Sequence, residues 1–191
     1  MVELLREGGV ARIFLNRPEK VNALDSPLLE RLAALLEEAG RDEATRVVVL
    51  AGRGKAFCGG ADVNELASLD ASSARAFITR IHRACQAVRK APVPVLARLH
   101  GAVIGAGLEL AAACDLRIAA RGTRFAMPEV RLGIPSVVEA ALLPRLVGSG
   151  RAAWLVLTGE PIDAERAFAW GLVEALCDEA ELEREVARLV A

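Results

Sequence analysis

The chain has 191 residues, of which 53% are hydrophobic and 26% are charged, and its formal net charge is −1. This length suits one well-buried domain, residues 1–191, and does not require two. The near-neutral balance, with arginines scattered among acids, argues against a protein that binds nucleic acid.

Hydrophobic periodicity and turn residues predict strands that alternate with helices along the whole chain. In order, we expect a hairpin of strands at 2–6 and 10–15, a helix at 26–40, a strand at 46–51, helices at 62–67 and 72–89, a strand at 93–99, a helix ending at 113, strands at 115–120 and 125–127, helices at 136–146, 149–157 and 163–170, a strand at 172–176 and a helix at 179–190. This alternation predicts an α/β layer arrangement with right-handed crossovers. Ligands in such folds collect where strands pass into helices.

The sequence carries no sign of export or of a membrane span. Its first residues lack a signal peptide pattern, and no apolar run reaches roughly 18–20 residues. Four cysteines (Cys58, Cys85, Cys114 and Cys177) are widely spaced, without a C-x-x-C motif, and only two histidines accompany them. We therefore expect free buried thiols, no metal site and a cytoplasmic protein. Cys58 lies in a glycine-rich stretch, but nothing in the sequence indicates a base that would activate it as a nucleophile.

Two loops of small residues stand where a strand passes into a helix. One is Gly59-Gly60-Ala61, just before the helix that Asp62 opens, and the other is Gly105-Ala106-Gly107, at the head of an apolar helix. Small residues let the backbone approach a substrate closely, and helix starts offer unpaired amides. Either loop alone is typical of a tight turn. Together they indicate an oxyanion hole, which needs two main-chain N–H groups directed at one point.

Two glutamates accompany these loops. Glu109 lies three residues after Ala106, so its side chain can flank the same pocket, and Glu129 follows Met127-Pro128 at the end of a short apolar run. Amide-presenting loops and paired carboxylates suit an enzyme that stabilises an enolate and moves protons beside it.

A nucleotide site is the alternative interpretation of the glycines. The stretch from Gly101 to Gly107 has the spacing G-x-x-x-G-x-G instead of the dinucleotide-binding G-x-G-x-x-G. Residues 52–55 imitate a phosphate-binding loop but lack its spacing and its following Ser or Thr. Neither pattern supports nucleotide binding.

Several stretches, in the right order over nearly the whole chain, resemble the crotonase family of enoyl-CoA hydratases and isomerases. They are Asn16-Arg17-Pro18 with Asn22-Ala23-Leu24, residues 54–63, Gly105-Ala106-Gly107-Leu108-Glu109, Phe125-Ala126-Met127-Pro128-Glu129, residues 144–148, residues 157–159 and Gly171-Leu172-Val173. The resemblance implies a spiral of ββα turns that acts on acyl-CoA thioesters, usually as a trimer or a hexamer, with no cofactor beyond the CoA of the substrate.

The resemblance also implies roles for individual residues. The amides of Ala61 and Ala106 would hold the thioester oxygen, and Glu109 and Glu129 would activate water and supply a proton at Cα. In isomerases of the family, the residue that corresponds to Glu129 often moves the proton alone. The substrate would lie along Val21, Ala23, Gly59, Gly60, Asp62, Val63 and Gly105.

These features predict an enoyl-CoA hydratase, with an enoyl-CoA isomerase as the nearest alternative. A third possibility is a shortened family member that binds an acyl-CoA or a partner protein without turnover. It arises because the chain stops after the helix at 179–190, so the family's usual C-terminal helices are expected to be missing. Leu182, Val186, Leu189 and Val190 would then form a helix face that docks on its own core or on a neighbour.

The sequence departs from the family pattern at three further places. Gly59 stands where alanine is common, and Ala106 stands where glycine is usual. Residues 133–140 lack the usual glycine-rich run and carry Glu139. Since this region borders the acyl group in the family, substrate preference is open. Glu139 is either a third acid in the pocket or a solvated residue in the first turn of a helix.

Overall fold

The computed structural model describes residues 1–191, in which nine strands and eight α-helices follow one another. The strands are β1 Val2–Glu7, β2 Val10–Leu15, β3 Val47–Gly52, β4 Val95–Leu99, β5 Ala102–Ile104, β6 Leu116–Ala120, β7 Arg124–Ala126, β8 Ile162–Asp163 and β9 Ala175–Cys177. The helices are α1 Ser26–Arg41, α2 Val63–Ala67, α3 Ala71–Arg89, α4 Ala106–Ala113, α5 Leu143–Val147, α6 Ser149–Thr158, α7 Ala164–Trp170 and α8 Leu182–Val190. None of these helices combines the length and the apolar character needed to cross a membrane.

A six-stranded sheet with the order β1-β2-β3-β4-β6-β9 forms the first layer. Only the β1–β2 hairpin is antiparallel, and every later pair is parallel. Alternate residues of the strands face opposite sides of a sheet. Val48 and Leu50 of β3 therefore belong to the main core with α1 and α3, whereas Val49 faces a second cluster with Leu182 and Val186 of α8.

The C-terminal helix confirms one of the two docking arrangements predicted from its apolar face. Leu182 and Val186 are fully buried against the chain's own sheet, and Val190 packs at the edge of the same cluster. Leu189, which was predicted on the same face, is instead exposed. Glu183 of this helix reaches Arg98 of β4 at 2.5 Å and Arg12 of β2 at 3.3 Å. The helix α8 thus covers the face of the large sheet opposite to α1 and α3.

A smaller layer carries the segments that lead to the site. It contains the sheet β5-β7-β8, and β5 is extended by a parallel bridge between Cys58 and Val103. A further parallel bridge joins Leu24 to Ala61. Each turn of the chain therefore adds one strand to the large sheet, one extended segment to the small layer and then helix, which is the predicted ββα spiral.

The structure corrects three predicted elements. Residues 102–104, where the sequence predicted no strand, form β5 because they pair with β7. The strand predicted at 172–176 begins only at Ala175, where pairing with β6 starts. The helix predicted at 136–146 is wrong: residues 133–139 form neither helix nor strand, a 3₁₀ turn spans Ala140–Leu142, and α5 begins at Leu143.

The loop before α1 is fixed by the side chain of Asn22. This residue is fully buried and adopts a positive φ of 54°, which asparagine tolerates better than most residues. Its Nδ2 donates to the carbonyl oxygens of Arg53 and Ala56 at 2.9 and 2.8 Å, and its Oδ1 accepts from the N–H of Arg17 at 2.8 Å. One side chain therefore ties the loop at 16–24 to the loop that leads to Gly59.

We expect Asn22→Ala to lower the free energy of unfolding by about 3 kcal/mol, because it leaves buried carbonyl groups without donors and places alanine at a left-handed backbone position. Urea unfolding followed by circular dichroism measures the change. Asn64→Ala, at an exposed position of α2, is the control and should stay within about 0.5 kcal/mol of the parent. A loss below about 1 kcal/mol for Asn22→Ala would contradict the anchoring role.

Candidate active site

A pocket of about 170 Å³ lies at the carboxyl ends of the parallel segments in the small layer. Cys58 is in register with Val103, and Val103 with Phe125, so these segments end side by side. Nineteen residues, twelve of them hydrophobic, line the pocket. They include seven of the residues selected from the sequence: Gly59, Ala61, Val63, Gly105, Ala106, Glu109 and Glu129.

The main-chain N–H groups of Ala61 and Ala106 are left free at this edge. Around the bridge, the N–H of Leu24 donates to the oxygen of Gly60 and the N–H of Asp62 donates to the oxygen of Leu24. Since strand groups alternate in direction, the N–H of Ala61 points away from Leu24, and no protein group accepts it. Ala106 is the first residue of α4, where an amide has no partner within the helix.

Glycine permits the two loops to lie this close together. A Cβ on Gly60, whose φ is 99°, would stand 2.9 Å from the carbonyl oxygen of Ile104 and 3.9 Å from the amide nitrogen of Ala106. A Cβ on Gly107 would stand 2.8 Å from the carbonyl oxygen of Cys58. Any larger residue at either position would force the loops apart.

Glu109 lies in the first turn of α4 and is buried, with 2% of its surface exposed. Its Oε1 accepts hydrogen bonds from the N–H groups of Glu139 and Ala140 at 2.9 and 2.8 Å. Oε2 has no hydrogen-bond partner. No fully buried side-chain nitrogen or oxygen in the structure lacks a partner, so Oε2 is an accessible atom and faces the pocket that Glu109 lines. Burial raises the pKa of Glu109 to about 7, the charge of Glu129 adds to the rise, and the two N–H bonds oppose it.

Glu129 is half-buried in a 3₁₀ turn that spans Pro128–Leu132. The hydroxyl of Ser136 donates to its Oε2 at 3.2 Å. A Cβ on Gly105, whose φ is 53°, would lie only 2.6 Å from Oε1, so glycine makes room for this carboxyl group. Burial raises the pKa of Glu129 above its ordinary value. The pocket thus contains two carboxyl groups that both hold protons more tightly than a solvated glutamate.

Four residues that the sequence indicated as substrate contacts do not line the pocket: Val21, Ala23, Gly60 and Asp62. Val21 accepts the N–H of Gly59 at 2.8 Å, and the carbonyl oxygen of Ala23 accepts from Arg17 at 2.7 Å. Asp62 caps α2 by accepting the N–H of Asn64 and pairs with Arg17 at 3.1 Å. Their contacts support the loop that carries Gly59 and Ala61.

The sequence did not single out the wall that α3 contributes. Phe77, Ile78 and Ile81 line the pocket from this helix, and Phe77 and Ile81 are buried. Their i and i+4 spacing predicts a helix face that packs on a core, which is the same pattern as any amphipathic helix. Ser136, which contacts Glu129, was not predicted either, because it falls in the segment expected to be helical.

Cys58 lies beneath the pocket as a buried structural thiol. It is fully buried, its Sγ donates to the carbonyl oxygen of Asn22 at 3.2 Å, and burial raises its pKa to about 12. A thiol in this state is a poor nucleophile. Cys85 and Cys114 are also buried, whereas Cys177 is partly exposed, contrary to expectation. No three His, Cys, Asp or Glu side chains cluster as a metal site would require.

Both interpretations of Glu139 are wrong. The residue is 5% exposed, does not line the pocket, and precedes a 3₁₀ turn instead of opening a helix. Its carboxylate lies 2.6 Å from Nδ1 of His82 and 3.7 Å from Nη1 of Arg89. The N–H groups of Glu139 and Ala140 bond to the carboxylate of Glu109, and the 3₁₀ turn begins at Ala140.

Comparison with known proteins identifies relatives of this chain. A family model described as Enoyl-CoA hydratase/isomerase matches residues 6–191. The short-chain-enoyl-CoA hydratase of Clostridium acetobutylicum is 37% identical over 183 residues, a match that covers 95% of this chain and 70% of that protein. The 1,2-epoxyphenylacetyl-CoA isomerase of Escherichia coli is 35% identical over 185 residues, covering 92% of this chain and 69% of that protein.

Solved structures agree with these relatives. The crystal structure of enoyl-CoA hydratase from Bacillus anthracis superposes with a TM-score of 0.95 at 37% identity, and the match covers 98% of this chain and 74% of that one. The ββα spiral described above is therefore the α/β crotonase fold. On the family match, the identities and the superposition together, the chain belongs to the crotonase family of enoyl-CoA hydratases and isomerases.

Proposed function

We propose that the chain is an enoyl-CoA hydratase, which adds water across the double bond of a 2-enoyl-CoA thioester. One observation carries the proposal: the carboxyl groups of Glu109 and Glu129 line the same pocket as Ala61 and Ala106, whose main-chain amides are unpaired. The name of the related short-chain-enoyl-CoA hydratase supports the same reaction.

The amides of Ala61 and Ala106 would bind the thioester oxygen. As water adds to Cβ of the enoyl group, negative charge develops on that oxygen, and N–H donors already in place stabilise it without reorganising. Ala106 begins a helix of eight residues, so the helix dipole favours negative charge at the same point. These groups interact more strongly with the transition state than with the neutral substrate, which is the requirement for catalysis.

Glu109 and Glu129 would transfer the protons of the reaction. One carboxylate takes a proton from water as the oxygen bonds to Cβ, and the other carboxyl group gives a proton to Cα, so one molecule of water is added in total. Their raised pKa values allow the pair to keep one proton near neutral pH. Because the two groups repel, they titrate as a coupled pair, and the acid and base labels belong to the pair.

The rest of the substrate would extend from the pocket along the loops that precede α1 and α2. We propose that Val21, Ala23, Gly59, Gly60, Asp62, Val63 and Gly105 form this path, mainly through their main chain. The single domain, the homo-oligomer and the cytoplasmic location stay predictions.

We expect Glu109→Gln and Glu129→Gln each to lower kcat for crotonyl-CoA by on the order of 10²-fold or more, because each removes a group that exchanges protons. KM should change less than about three-fold, since glutamine keeps the shape of the pocket. Absorbance loss of the conjugated thioester measures the rate. Glu37→Gln, at an exposed position of α1, is the matched control. A Glu109→Gln variant that hydrates like the parent would exclude the two-carboxylate mechanism.

An enoyl-CoA isomerase is the second candidate, because a relative from Escherichia coli, the 1,2-epoxyphenylacetyl-CoA isomerase, is named as an isomerase of a CoA thioester. An isomerase needs one carboxyl group to move a proton between carbons, and Glu129 alone could serve. An assay of the variants with 3-enoyl-CoA as the substrate distinguishes the two functions. Conversion that survives Glu109→Gln but not Glu129→Gln, without hydration by the parent, would establish the isomerase. A folded protein that binds no acyl-CoA in calorimetry would exclude both.

The pocket favours a short acyl group. At about 170 Å³ it is close to the size of a 150 Å³ cavity that holds benzene, so about six carbon atoms fill it. Phe77 and Ile81 close its inner wall from α3.

We therefore expect Ile81→Ala to raise the ratio of kcat/KM for octenoyl-CoA over crotonyl-CoA by about ten-fold, because the larger pocket accepts the added methylene groups. Val88→Ala removes a buried side chain from the same helix away from the pocket and is the control. An unchanged ratio would show that the acyl group does not reach Ile81.

Burial of Glu109 also predicts how stability depends on pH. The pKa of Glu109 is about 7 in the folded protein, against an ordinary value of 4.5. The protonated Glu109 therefore contributes to the free energy of unfolding in full below pH 4.5, and this contribution is lost as the pH rises through 7. Glu109→Gln lacks this titration. We expect its unfolding free energy minus that of the parent to increase by about 3 kcal/mol between pH 4 and pH 8 in urea titrations. A difference that is independent of pH would contradict the raised pKa.

A further inference from the structure

Glu139 connects α3 to the carboxyl group of Glu109. Its side chain is 7% exposed and contacts two basic residues of α3, with Nδ1 of His82 at 2.6 Å and Nη1 of Arg89 at 3.7 Å. His82 and Arg89 are seven residues apart, which is about two helical turns, so both side chains leave α3 on the same face. A carboxylate only accepts hydrogen bonds, so the ring N–H of His82 donates to Glu139.

The main chain of the same residue reaches Glu109. The N–H groups of Glu139 and Ala140 both donate to Oε1 of Glu109. The short 3₁₀ turn Ala140–Leu142 follows these donors, and the N–H of Leu142 bonds to the oxygen of Glu139 at 2.9 Å. Residues 133–139, which lead into the turn, belong to no helix or strand, so no regular backbone ladder restrains the donors from that side. The contacts of the Glu139 side chain with α3 supply that restraint.

We propose that Glu139, held by His82 and Arg89, is a positioning residue that fixes the Glu109 carboxyl group for the hydration reaction. The inference rests on the proposed function for its catalytic meaning. With Oε1 restrained by two N–H donors, Oε2 is the atom directed at the pocket. Without the side-chain anchor, residues 138–140 would move, and Glu109 would lose both its donors and its orientation.

The pKa of Glu109 distinguishes a positioning role of Glu139 from a direct effect of its charge. Glu129 and Glu139 repel its charged form, the thiol of Cys85 lies near both Glu109 and Glu139, and His82 and Arg89 supply the positive charge. Removal of the Glu139 charge alone would lower the pKa of Glu109. Loss of the two N–H donors would raise it, because those bonds stabilise the carboxylate. The sign of the shift therefore identifies the role.

The test compares Glu139→Ala, Glu139→Gln and His82→Ala in the full chain. For Glu139→Ala and His82→Ala we expect kcat on crotonyl-CoA to fall at least about ten-fold with KM within about two-fold, and the pKa of Glu109 to rise by about half a unit or more. Carbon-13 NMR of labelled glutamate, assigned with Glu109→Gln, measures that pKa without substrate. Glu139→Gln keeps an oxygen that accepts from His82 and should stay within about three-fold of the parent kcat.

Glu30→Ala is the control. It removes an exposed carboxylate of α1 that pairs with Arg80 of α3 at 2.7 Å, and so breaks a different ion pair of the helix that carries His82. Should Glu139→Ala not fold, His82→Ala carries the test, since its side chain is half exposed. For Glu139→Ala or His82→Ala, a pKa of Glu109 that falls or does not move, or a kcat within about three-fold of the parent, overturns the positioning role. If the parent does not hydrate but the pKa rises as expected, the proposed function fails and the positioning contact stands.

Discussion

The structure of the site depends on the close approach of two main-chain segments, residues 58–61 and 102–106. The bridge from Cys58 to Val103 fixes their register, and glycines at 60 and 107 remove the side chains that would hold them apart. Buried side chains on the neighbouring residues, such as Phe57 and Leu108, anchor both segments in the core. Because the unpaired amides belong to the backbone of these packed segments, their positions follow from the fold and not from the rotamers of flexible side chains.

The two carboxyl groups show how one pocket sets the proton affinity of its residues. Burial disfavours the charge on Glu109, and the nearby Glu129 disfavours it further, while two N–H donors favour it. The balance places its pKa at about 7, where a group can both take and release a proton at neutral pH. Glu129 has a hydroxyl donor in Ser136 and is less deeply buried. The protein thus has a local loss of stability at the site where the proposed hydration would require proton transfer.

Local sequence patterns predicted the elements whose signal is carried by their own residues. The branched apolar runs of β3 and β4 and the leucine stripe of α1 are of this kind, and so are the two glycine loops. The strand β5 was missed because three residues become a strand only through pairing with Arg124–Ala126. In the segment after Pro135, where a helix was predicted, the amides of Glu139 and Ala140 bond to Glu109, a partner about thirty residues away. Hydrophobic periodicity carries no information about such distant partners, so the segment that contacts Glu109 was predicted least well.

The same segment shows why α3 matters to the site as much as the glycine loops do. Where the family usually has a glycine-rich run, this chain has Val137 and Val138, which line the pocket, and Glu139, which does not. Side chains in this segment need a surface to pack on, and α3 provides it with Phe77 and Ile81 toward the pocket and His82 and Arg89 toward Glu139. One helix therefore bounds the pocket and also contacts the residue whose amide binds Glu109. Because Ile81 and His82 are neighbours on this helix, a substitution that shifts α3 would change both the wall of the pocket and the contact with Glu139.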